Sequence, residues 1–384
     1  MKLSAWKYVK NNKQVCAVLI TAISLSFMTM YIIYVLLQPT AESFRPIMLE
    51  LPKKISYASI TGSSYGLDVN GYETYEELEA AYDEKQDQLM ERLKSRPGIS
   101  DAFFTQIVYS SYQSVVGGQV FETPLMEPER IPAFLEHMEA VLTDGRMPSG
   151  DGEMLVDETI MRNMDYRIGS YFMENWYGET FTIVGTIRSD CFISVGTPMG
   201  YTNSGMYIVV LNDETVMDLT SVLREEGIAV KNSDEIIDGV EYAEMYREDV
   251  EEVIGSVINV ILIVVMVFLT ILVLVAYVSY MRNRVSEYCL YASIGYGRGE
   301  IYGMIVREMM IIFGMSALAG LIISLLGGYL INTFLILPKG LIGHVFYGGQ
   351  ILKILSIFVF IFGMLQIPIL ICISGIRTID AIEK

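Results

Sequence analysis

The sequence predicts an α-helical membrane protein with four transmembrane helices and a large mixed α/β extracytoplasmic domain between the first and second. Three observations predict it. Four apolar runs occupy residues 15–37, 254–281, 309–332 and 351–376. A long polar segment, residues 38–253, separates the first run from the second. Charge is divided sharply between that segment and the rest. Residues 38–255 hold 15 Lys and Arg against 40 Asp and Glu, and the remainder holds 12 against 5.

Taken in order, residues 1–14 form a basic tail with Lys2, Lys7, Lys10 and Lys13. Residues 15–37 carry no charge, and at 1.5 Å per residue they extend about 34 Å, enough for a hydrocarbon core of about 30 Å. This apolar run is longer than a signal-peptide core and lacks an Ala-x-Ala exit, so a retained anchor is expected. Arg282, Arg284, Arg298 and Arg307 surround the connection at 282–308, and Arg377 and Lys384 lie in the tail at 377–384. The connection at 333–350 holds only Lys339, and Lys353 at the start of the last run can snorkel. The positive-inside rule therefore places both termini and 282–308 in the cytoplasm, and the large domain and 333–350 outside.

Within the domain, residues 72–96 read as a helix stopped by Pro97-Gly98. Strands are expected at 99–109, 113–121, 153–156, 180–188 and 205–211. Shorter helices are expected at 131–142 and 214–226, the latter stopped by Gly227. Ser233 offers an N-cap, and 234–252 continues without Pro into the second span. Asp234, Val250 and Gly255 mark a candidate stalk, with Gly255 as the place where it could instead be jointed. Cys191 is the single cysteine of the segment, which excludes an intrachain disulfide there. The acidic surface serves solubility or steers cationic partners, and composition does not separate these.

Several chemistries are excluded. There is no Gly-Lys pair, hence no phosphate-binding loop, and no His-Glu-x-x-His. His137 and His344 are the only histidines and Cys-x-x-Cys is absent, so zinc is not expected. The spans hold almost no ionisable groups of the kind that mark ion relays. No catalytic residue, directly bound cofactor, metal or nucleic-acid partner is expected.

Residues 284–301, Arg-Val-Ser-Glu-Tyr-Cys-Leu-Tyr-Ala-Ser-Ile-Gly-Tyr-Gly-Arg-Gly-Glu-Ile, followed by Arg307-Glu308, resemble the signature loop of FtsX-like ABC-transporter permeases. Residues 376–384 are similar to that family's ending. Gly145-Arg146-Met-Pro148, 152–156, 167–169 and 181–185 resemble the exterior domain of MacB-type permeases. Tyr291 and Tyr296-Gly297 depart from the usual residues, and no Pro follows Asp380.

The resemblance implies a permease subunit without its own ATP site, coupled to a separate ABC ATPase that holds ATP-Mg. It implies a second permease copy, identical or paralogous, in a bacterial cytoplasmic membrane. ATPase closure would drive the exterior domain by mechanotransmission, for export of or resistance to peptides, antimicrobial ones included, or other envelope substrates. The alternative is an FtsX-like signalling permease that activates a cell-wall hydrolase; a receptor without an ATPase is a further reading, which the loop argues against. Arg284, Glu287, Ser293, Gly295, Arg298 and Glu308 are the expected ATPase-coupling residues, with 286–293 as a short amphipathic helix.

Overall fold

The computed structural model describes residues 5–114, 117–174, 180–199, 206–213 and 215–374. The chain begins with α1 (Ala5–Asn11) and α2 (Lys13–Arg45), then a π-helical turn at Pro46–Glu50 and α3 (Leu51–Lys54). Next come β1 (Ile55–Ser59), α4 (Tyr75–Lys94), β2 (Ile99–Gln113), β3 (Gly118–Leu125) and α5 (Ile131–His137). They are followed by β4 (Val141–Gly145), β5 (Glu153–Asp157), α6 (Glu158–Asn163), β6 (Tyr171–Glu174), β7 (Thr180–Arg188), β8 (Ser194–Gly196) and β9 (Met206–Asn212). Then α7 (Leu219–Glu225), β10 (Glu235–Ile237), α8 (Gly239–Met245), a π-helical stretch Tyr246–Ile254 and α9 (Gly255–Arg282) lead to α10 (Val285–Ser293). The chain closes with α11 (Arg298–Ile331), a third π-helical stretch Asn332–Ile336, α12 (Gly348–Met364) and α13 (Gln366–Ser374).

Four helical segments are long and apolar enough to cross a membrane: Cys16–Lys54, Gly239–Arg282, Arg298–Lys339 and Gly348–Ser374. Polar turns extend the first three beyond the apolar runs. The last is interrupted at Leu365, between α12 and α13. Pro368 explains the break, since its missing N–H cannot reach back to the carbonyl of residue 364. Phe27, Tyr31, Met309, Ile312, Phe358 and Leu365 are buried among these helices. Ser24 Oγ donates 3.0 Å to Ser316 O, and Gly320 allows the backbone to meet Phe27.

The inserted domain is a separate compact unit, Thr40–Gly255 with Leu337–Ile342. Its sheet runs β10-β1-β9-β2-β3-β8-β5-β7-β4, with β6 on β7. Most pairs are antiparallel, while β3–β8 and β5–β7 are parallel, so the domain is mixed α/β as the sequence predicts. Leu89, Met90 and Leu93 of α4 and Leu219 and Leu223 of α7 bury one core against Ala58, Ala102, Ile208 and Val210. Thr74 caps α4 by accepting from Glu77 N at 3.2 Å.

Several expected elements are shorter or different. The helix expected over 131–142 stops at His137, because Glu139 takes a left-handed φ of 52° and sends 141–145 into β4. The helix expected over 214–226 starts only at Leu219, where Asp218 accepts from Ser221 N at 3.0 Å; residue 214 lies outside the described residues. The strand expected over 205–211 is described from Met206 to Asn212. Ser233 does not open the stalk helix: residues 235–237 pair with β1, and Asp238 is the cap, accepting from Val240 N and Glu241 N at 3.0 Å each. The tail motif at 376–384 lies outside the described residues.

Candidate partner-docking site

The reversal between α9 and α11 is built on a buried ion pair. Arg284 Nη1 donates to both carboxylate oxygens of Glu308, at 2.7 and 2.8 Å. Tyr280 also donates its hydroxyl to Glu308, and Arg284 Nε donates 3.1 Å to Glu287. The guanidinium lies 5.0 Å from the Tyr288 ring centre and 5.4 Å from that of Tyr280. Arg284 is 3% and Glu308 2% exposed. A charge so deep in a low-dielectric region is tolerated only when paired, and the guanidinium fork supplies the match.

Arg284 and Glu308, two of the expected coupling residues, are buried, and their charged ends face each other. Burial wins because α10 turns the Tyr288 and Cys289 side chains inward, 0% and 6% exposed, over the pair. The pair fastens the end of α9 to the first part of α11 and fixes the attitude of α10 between them.

What α10 leaves outward is a mixed face. Leu290 is 56% and Ile294 66% exposed, four residues apart on one side of the helix. Ser286, Ser293 and Arg298 are also exposed, and the Glu287 side chain is half-exposed. Ser293 Oγ donates back to Leu290 O at 2.7 Å. Gly295 closes the helix at φ +101°, a conformation that a side chain would strain. Gly297 then precedes α11, and Glu300 accepts from Gly297 N at 3.0 Å, half of a capping box. The site therefore brings Glu287, Ser293, Gly295 and Arg298 together around an apolar pair that sequence reasoning passed over. The helical spacing of Leu290 and Ile294 was the available signal.

Of the stalk residues, Asp234 lies outside the helix. It accepts from Thr61 N, Thr61 Oγ1, Ser64 Oγ and Lys231 N, and so ties the chain ahead of β10 to the end of β1. Val250 is buried within the π-helical stretch, and Gly255 opens α9 with no break in the helix. The stalk is held to the sheet lower down, where Tyr242 of α8 donates 2.6 Å to the buried Glu122 carboxylate of β3. Burial raises the Glu122 pKa, and Glu235 and Glu241 add to the rise, while the Tyr242 hydrogen bond lowers it. Among the described residues no group of His, Cys, Asp and Glu could hold a metal.

Residues 259–381 match the family described as FtsX-like permease C-terminal. The match includes the buried pair and α10. No curated protein is similar to the chain by sequence. Among solved structures, the periplasmic region of MacB from Actinobacillus actinomycetemcomitans is 13% identical, covers 53% of this chain and 95% of its own, and has a TM-score of 0.26. A domain of a putative permease protein from Porphyromonas gingivalis is 16% identical, over 48% and 89%, with a TM-score of 0.22. The extracellular domain of the noncanonic ABC-type transporter YknZ from Gram-positive bacteria is 8% identical, over 48% and 99%, with a TM-score of 0.24.

Proposed function

We propose that this chain is the permease subunit of a MacB-like ABC transporter, working with a separate ATPase. The observation that carries the reading is the rigidly held α10, whose outward face offers Leu290, Ile294, Glu287 and Arg298 within the FtsX-like region. An apolar centre with a charged rim is the usual make-up of a protein interface. The ATP and Mg would sit on the partner, and this chain would perform no chemistry itself.

Closure of the ATPase pair would push α10, and the buried pair would pass that push to α9 and α11. The helix Gly239–Arg282 would carry it on to the inserted domain. The exposed apolar face of α9, with Phe268, Ile271 and Val275, would lie against lipid or a second permease copy. The acidic inserted domain favours cationic cargo, peptides first and other envelope substrates next. The chain would reside in a bacterial cytoplasmic membrane with the inserted domain outside.

Co-purification tests the reading. The parent chain should recover an ABC ATPase whose hydrolysis needs both subunits. Leu290→Glu with Ile294→Glu should abolish recovery, and Glu287→Lys with Arg298→Glu should weaken it. Recovery of the same ATPase by both pairs of variants at parental yield would sink α10 as the contact. A cell-wall hydrolase that co-purifies and is switched on by ATP would replace export by signalling.

A further inference from the structure

The connection between the third and fourth spans is short, yet Leu337–Ile342 belongs to the inserted domain. The chain passes between the two units after Pro39, Gly255, Ile336 and Ile342. The last two crossings bracket a segment of six residues held by side chains from three separate elements.

Tyr112, at the end of β2, donates its hydroxyl 2.7 Å to Gly340 O, and its ring is fully buried between Phe44 and Phe192. Asn163, at the end of α6, donates Nδ2 to Lys339 O at 2.9 Å and to Gln113 O at 2.7 Å, and its Oδ1 accepts from Gln113 N at 2.7 Å. Ser43 of α2, also fully buried, accepts from Ile342 N at 2.8 Å. The fit is steric as well as polar. Gly340 has φ +64°, and a Cβ there would lie 2.5 Å from Thr159 O and 2.8 Å from Asn163 N. Nothing larger than glycine sits in that slot without moving backbone.

We propose that Leu337–Ile342 is a strap: a clamped connection through which displacement of the ends of α11 and α12 reaches β2 and α6, independently of the helix Gly239–Arg282. Its use in force transmission rests on the permease reading; its attachment does not. Six residues bonded at Lys339, Gly340 and Ile342 leave little slack. An exposed, unheld connection of this length would follow its spans freely, whereas this one must either drag the domain or release.

Limited trypsin digestion of the full chain in detergent tests the attachment. The Lys339–Gly340 bond is the reporter, because its carbonyl is bonded to Asn163 and Gly340 is buried. The parent should resist cleavage there. Gly340→Val and Asn163→Ala should each be cut at this bond at least ten-fold faster. Asn163→Ala leaves the glycine slot intact and so guards against a valine variant that misfolds. Equal cleavage rates in all three chains overturn the strap.

Hydrogen exchange at the Gln113 amide tests the transmission. In the parent assembled with its ATPase, adding ATP should change that exchange, and in Gly340→Val the change should vanish while hydrolysis continues. No nucleotide effect in the parent, or the same effect in both, overturns the transmission. A resistant strap in a chain that recruits no ATPase would refute the permease reading and leave the attachment standing.

Discussion

Arg284→Met separates the buried pair into its parts. The substitution keeps the aliphatic stem but leaves the Glu308 carboxylate, 2% exposed, without its cation. Breaking a buried pair by removing one partner costs about 3–5 kcal/mol. Part of that cost appears as easier opening of α10, since the guanidinium contacts Tyr280, Tyr288, Glu287 and Glu308 at once. Cys289 reports on opening, being 6% exposed and next to Tyr288. With Cys16, Cys191 and Cys372 replaced by Ala, the rate of maleimide labelling at Cys289 measures how often α10 lifts. At the lower figure of about 3 kcal/mol, and about 1.36 kcal/mol per factor of ten, labelling should accelerate on the order of 100-fold. Arg284→Met combined with Glu308→Leu removes both charges and should return most of the way to the parental rate, because an apolar pair of similar volume replaces the ion pair at little cost. Parental labelling in the single variant, or a double variant as fast as the single, would refute the role given to the pair.

Three further expectations concern the rest of the chain. Glu122 has its pKa raised above the unfolded value, so the stability it contributes is present at low pH and lost as pH rises through the folded pKa; Glu122→Gln should raise the thermal midpoint at neutral pH and flatten its fall between mildly acidic and neutral pH, as followed by circular dichroism. Val250→Pro, in the π-helical stretch, removes a backbone donor at a cost of about 3 kcal/mol and should leave ATPase recruitment and hydrolysis intact while abolishing the domain's output, with Val250→Ala as the parental control; full output in the proline variant would dismiss the stalk. In a cysteine-free chain, Ser149→Cys should react with an impermeant maleimide on intact cells and Ser293→Cys should not, and the reverse pattern would invert the proposed orientation.

The spans and the strands β2, β5, β7 and β9 were legible because apolar length and β-branched composition are local signals. β1 was not, since Ile-Ser-Tyr-Ala-Ser is short and follows a Pro-Lys-Lys turn that gives no strand pattern. The end of α5 depends on a left-handed Glu139, which no propensity favours. The polar loop from Arg284 to Glu308 was legible, but the burial of its two ends was not. Arg284 and Glu308 stand 24 positions apart, and only the fold brings a charge at a helix turn against one inside the next helix. Asp234, expected to start the stalk, lies outside it for a related reason: its carboxylate accepts from four donors around the ends of β1 and β10.

π-Helical stretches recur in three of the long helical segments. Pro46–Glu50 joins α2 to α3, Tyr246–Ile254 leads into α9, and Asn332–Ile336 follows α11. Each accommodates extra backbone relative to α-helical bonding. Were one of them to absorb a single residue into α geometry, everything beyond it would turn by about 100° about the helix axis and shift by about 1.5 Å along it. Such a conversion exchanges one set of backbone hydrogen bonds for another rather than breaking the helix.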